Sequence, residues 1–142
     1  MGRWLGTLLA ASAVALCLTT SADAQTLMPG SSYRVTTKNA AGTTAVYCYR
    51  FLEGSNFEVS TTTFFPLTTA GTWELIPTAG RITASFFQGT TTTPVSTSTY
   101  IGAAYVGPST GASTISGTVL TDVSGTIVPV IFTGTLDPTC AQ

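Results

Sequence analysis

The stretch Thr43-Thr44-Ala45-Val46-Tyr47-Cys48-Tyr49-Arg50-Phe51-Leu52 decides the fold class. Tyr47, Tyr49 and Phe51 fall at period two, with Val46, Cys48 and Arg50 between them. Successive side chains of a strand point to opposite faces, so this spacing predicts one aromatic face and one mixed face. Outward from it the same alternation recurs, broken by turn chemistry every eight to a dozen residues. Ser31–Thr37 precedes it, before the turn-like Lys38-Asn39-Ala40-Ala41-Gly42. Phe57–Thr62 follows, after Glu53-Gly54-Ser55-Asn56. Thr72–Ile76 sets Trp73 and Leu75 to one side, and Pro77-Thr78-Ala79-Gly80 predicts a tight turn into Arg81–Gln88. Gly89–Ser96 reads as a polar loop, followed by Thr97–Val106, Gly111–Leu120 and Thr126–Leu136. In the last run Val128, Val130 and Phe132 oppose Ile127, Pro129 and Ile131. The pattern makes eight strands.

Composition points the same way. From Gln25 onward the chain holds 27 Thr and 11 Ser. Thr is β-branched and fits a pleated strand better than a helix. No window repeats apolar residues at helical spacing over three turns. Eight short antiparallel strands predict an all-β fold, a small antiparallel barrel whose closure removes aggregation-prone edges. A two-sheet β-sandwich fits the pattern nearly as well, and Pro129 inside the last strand favours it or an incompletely closed barrel, because Pro cannot donate to a ladder. An outer-membrane barrel is disfavoured by the lack of a consistent apolar face and of paired aromatic girdles.

The first 24 residues read as a removable leader. Met1-Gly2-Arg3-Trp4 gives a charged start, and Leu5–Leu18 is an apolar run too short to span a bilayer. Ala22-Asp23-Ala24 supplies small residues for cleavage before Gln25, leaving residues 25–142 as a single secreted or periplasmic β domain with no membrane span. Cleavage reduces three cysteines to two, Cys48 and Cys140, which in an oxidising compartment predict one disulfide. They lie 92 positions apart, so the bond restricts the unfolded chain by roughly 4–5 kcal/mol in the chain-entropy picture.

Several functions are disfavoured by what the chain lacks. Only 8% of residues are charged, and the four cations after the leader (Arg34, Lys38, Arg50, Arg81) are scattered, so nucleic-acid binding is not expected. There is no His, which removes the commonest general base and metal ligand; no metal or cofactor is expected. Glu58 and Glu74 are the foremost carboxylates for a hydrolase, but each alternates with apolar neighbours and belongs to the opposite, solvated face. No Ser-x-x-Lys serves the one remaining lysine, and no glycine-rich phosphate loop occurs. The chain is expected not to be an enzyme.

The aromatic residues are the more informative set. Tyr47, Tyr49 and Phe51, joined by Trp73, Phe86, Phe87, Tyr100 and Tyr105, belong first to a core, since rings supply most of the buried area of a small β domain. Beside that stands a binding reading, in which Tyr47, Tyr49, Phe51 and Trp73 line a concavity for a small apolar or sugar-like ligand. Phe64-Phe65-Pro66 cannot bury both adjacent rings in one strand and marks a contact loop for a protein partner. The low charge also suits a structural or adhesive surface protein that associates with copies of itself. Strand number and Gly71-Thr72-Trp73 together resemble secreted eight-strand barrels of the avidin-like and lipocalin-like kinds, a likeness that implies fold and carries over no residue roles.

Overall fold

The computed structural model describes residues 29–61, 68–77, 84–106 and 113–140. Eight strands succeed one another: β1 Ser31–Asn39, β2 Thr44–Phe51, β3 Asn56–Thr61, β4 Thr68–Leu75, β5 Ala84–Thr92, β6 Ser96–Val106, β7 Ser113–Val123 and β8 Thr126–Leu136. Each pairs antiparallel with its sequence neighbours, and β1 pairs with β8 to close the barrel. The structure is thus the barrel and not the sandwich. Among the described residues no helix is long and apolar enough to cross a membrane. The expected leader (1–24), the expected Phe64-Phe65-Pro66 contact loop and most of the expected Pro77–Gly80 turn lie outside the described residues.

Pro129 does not prevent closure. The β1–β8 ladder runs from Tyr33 opposite Leu136 to Asn39 opposite Val130, so Pro129 lies one residue beyond its end. The seam needs no hydrogen bond from it. The Gly89–Ser96 loop is also corrected: Gly89–Thr92 continue β5, and the connection shrinks to Thr93–Val95. Thr93 organises that connection, its hydroxyl accepting from the Ser96 amide at 3.0 Å.

Alternation sends Tyr33 and Val35 of β1, Tyr49 and Phe51 of β2, and Phe57 and Val59 of β3 into the interior. Trp73, Phe87, Tyr100, Ile115, Val119 and Phe132 complete the core from the other strands. Tyr49 meets Phe57, Tyr100 and Phe132 edge to face, with centroids 5.4–5.7 Å apart. Phe51 packs against Tyr33, Trp73 and Phe87 at 5.0–5.7 Å. Space for the rings comes from glycine. Gly102 and Gly117 stand opposite each other, and a Cβ on Gly102 would lie 2.8 Å from Cζ of both Phe87 and Phe132. Phe86 and Tyr105 were expected among the core aromatics; they lie on the other parity and are substantially exposed, as is Leu75.

The barrel has two unlike ends. One carries the Glu53–Ser55 3-10 turn and is plugged by rings, with Trp73 Nε1 donating to the Leu52 carbonyl at 3.1 Å. The other carries the β1–β2, β5–β6 and β7–β8 turns and is open. After β8 the chain turns back across the outside of β1. The Asp137 amide donates to the Ser32 carbonyl at 2.9 Å, and Arg34 Nε donates to Asp137 Oδ2 at 2.8 Å. Cys140 then reaches the outward-pointing Cys48 of β2, forming the expected disulfide with Cα atoms 5.7 Å apart. The tail therefore straps β8, β1 and β2 together over the seam.

The outer wall is divided by charge. Arg34, Lys38, Arg50, Glu58 and Glu74 all sit on β1–β4. From Ala84 to Leu136 the only Asp, Glu, Lys or Arg is Asp122, which caps the β7–β8 turn by accepting from the Gly125 amide at 2.8 Å. Ile101, Leu120, Ile127 and Ile131 are exposed on that uncharged half.

A candidate ligand cavity at the open end

Above Tyr49 the core rings stop, and a cavity of about 340 Å³ opens toward the turns. Its floor is made by Tyr49 and Tyr100 with Val59 and Val119. Tyr100, Val119 and Val130 are cross-strand neighbours on β6, β7 and β8, so register places them side by side. Tyr47 and Ala45, the next inward positions of β2, form one wall, and Thr37, Thr91, Ser98 and Thr121 surround the upper level. Asn39 and Thr43 stand at the rim, where the Asn39 side-chain oxygen accepts from the Thr43 amide at 2.9 Å.

Hydroxyls knit the wall across strands. Thr91 Oγ1 and Tyr100 Oη are 3.2 Å apart, Ser98 Oγ and Thr121 Oγ1 are 2.9 Å apart, and Thr37 donates to the Ala45 carbonyl at 3.3 Å. Burial pushes the Tyr49 phenol well above its ordinary ionisation range, reinforced by Tyr100 and Tyr47 nearby. Burial also raises Tyr100, partly opposed by hydrogen bonds from Thr91 and Ser98. These phenols are neutral donors and acceptors at physiological pH.

Of the four ligand-contacting residues expected from sequence, Tyr47 and Tyr49 reach this cavity. Phe51 is fully buried beneath it, and Trp73 lies farther down against the Leu52 carbonyl. Trp73 instead borders a second depression of about 270 Å³ with Ser55, Glu74 and Gln88. Tyr100 was visible in the sequence only as one aromatic among many. Thr91 was missed because the run around Gly89–Ser96 resembles a loop. Ser98, two residues before Tyr100 on β6, and Thr121, two residues after Val119 on β7, share the inward parity of those neighbours but are small polar residues that do not stand out as lining. Glu58 is on the outer wall, where Arg50 Nη1 donates to its Oε2 at 2.9 Å. Glu74 is exposed on the same side of the sheet, one strand over. Among the described residues no three His, Cys, Asp or Glu side chains gather as a metal site.

Comparison with protein-family models, with curated proteins and with solved structures returns no match for this chain.

Proposed function

We propose that the chain is an exported, non-enzymatic binding protein that takes a small molecule into the open end of its barrel. One observation carries this reading: the interior is filled with rings at one end and left as a lined cavity of about 340 Å³ at the other. Eight strands enclose just enough space for a packed core or one small ligand, and this barrel divides its length between the two. The volume falls at the lower end of the range for small-molecule sites. The leader supports delivery outside the cytoplasm, and a disulfide accords with that compartment. An amide NMR titration of the purified chain against a small-molecule fragment library tests the proposal. Saturable shifts at Tyr47, Tyr100 and Thr121 are expected; a library that moves none of the lining residues overturns it.

The uncharged half of the wall favours a second reading, a protein that associates with copies of itself. Ile101, Leu120, Ile127 and Ile131 are among the aliphatic side chains exposed there, and Asp122 alone of the Asp, Glu, Lys and Arg residues could oppose two copies meeting face to face. Sedimentation over a concentration series separates the readings. Self-association predicts a rising mass, whereas a ligand carrier sediments as one chain throughout.

A further inference from the structure

The cavity's chemistry narrows what it accepts. We infer that it selects small uncharged molecules with an aromatic or aliphatic body and one or two oxygen functions, such as phenols and aromatic alcohols, over ions and free sugars. This rests on the small-molecule reading above.

Charge is the first discriminator. No lining residue is ionisable at neutral pH as Asp, Glu, Lys or Arg. The described connections at that end, residues 40–43, 93–95 and 124–125, contain none either. The nearest such residues along the chain, Lys38 and Asp122, take the outward parity of β1 and β7. A carboxylate or ammonium entering the cavity loses its hydration without meeting an opposite charge, which is heavily unfavourable.

The hydroxyls are the second discriminator. They are numerous, and several are already engaged: Thr91 with Tyr100, Ser98 with Thr121, Thr93 with Ser96, and Thr37 with the Ala45 carbonyl. Each keeps capacity for one more bond, so a ligand oxygen is accommodated. A sugar carries a hydroxyl on nearly every carbon and loses more hydration than these groups replace. Sugar recognition also uses flat aromatic faces, whereas Tyr49 and Tyr100 pack edge to face at an interplanar angle of 87° and both contact Phe57. What lines the cavity is tyrosine rings, valine methyls and neutral hydroxyls. That surface complements a compact apolar body.

The test is a matched set on the purified chain at neutral pH: 1-naphthol, 1-naphthoate, 1-naphthylmethylammonium and glucose, followed by calorimetry and amide NMR. Naphthol is expected to bind about tenfold or more tightly than either ion, since only the ions lose unreplaced hydration. Glucose is expected to shift no lining residue. Ala41→Lys, in the exposed β1–β2 turn at that end and outside the lining, is expected to raise naphthoate affinity and leave naphthol nearly unchanged. If naphthoate, the ammonium or glucose matches naphthol at Tyr47 and Tyr100, the selectivity is overturned while the cavity remains a binding site. If none of the four moves a lining residue, or naphthol shifts only Ile101 and Ile131 on the outer wall, the selectivity falls too. The fragment titration then decides the broader reading separately.

Discussion

Gly102 is where a missing side chain does structural work. Two phenylalanine rings occupy the space its Cβ would need, and the Ser116 carbonyl is equally close. Gly102→Ala is expected to lower stability by about 1–3 kcal/mol through overpacking, measured as a shift in the urea midpoint with an unchanged slope. The tyrosines give a second prediction at this scale. Tyr49 and Tyr100 ionise less readily folded than unfolded, chiefly because burial disfavours phenolate. Above pH 10.0, the ordinary phenol value, the unfolded chain releases protons that these residues retain in the native state. Their contribution is complete below that pH and is lost as pH rises. Ultraviolet phenolate absorbance is expected to show Tyr49 and Tyr100 titrating only as the fold opens, and Tyr49→Phe to make that alkaline transition shallower. Single residues were only partly legible in sequence. Phe86 and Phe87 are adjacent and chemically identical, and which one faces inward follows from the pairing of Phe87 with Gly102.

At the level of elements, alternation located all eight strands, and Thr126–Leu136 has the same bounds in sequence and structure. Ends were harder where Thr continues a strand through polar sequence. Nothing intrinsic marks Thr90 to Thr92 as ladder and Thr93 as turn, since each residue is the same; cross-strand partners on β6 make the distinction. The C-terminal tail, by contrast, was readable through its cysteine. Cys140→Ser combined with Cys48→Ser is expected to cost up to about 4–5 kcal/mol, read by chemical denaturation, because the unfolded chain regains a long loop's freedom. Asp137 adds a pH dependence. Its hydrogen bonds from Thr139 and Arg34 hold the carboxyl below its ordinary 3.8. The stabilisation is complete above pH 3.8 and fades as pH falls through the lowered native value, so amide exchange at Thr139 is expected to accelerate in that acid window. Asp137→Asn removes the acceleration.

For the whole molecule, closure was legible as a way of hiding edges, while the open cavity was not. Periodicity names the inward side chains of each strand but not the level along the barrel at which large residues give way to Thr and Ser. That level depends on strand tilt and register, which place Tyr49 as the floor and leave Phe51 and Trp73 below it. The wall's division yields the prediction proper to this scale. Ile131 is 57% exposed in the uncharged half, so Ile131→Lys is expected to leave the denaturation midpoint within about 0.5 kcal/mol. If copies meet there, the same change abolishes any concentration-dependent rise in sedimenting mass; an unaltered rise would remove that wall from the contact.

The strap over the seam has a further consequence. Ser32 at the start of β1 and Asp137 just past β8 are hydrogen-bonded neighbours, so the strands begin and finish at the plugged pole. A bead, fusion partner or surface linker joined at Gly30, whose amide bonds the Phe51 carbonyl, or at Asp137 grips the molecule from behind. The aperture is left pointing away from whatever holds the protein, a ready orientation for an immobilised sensor.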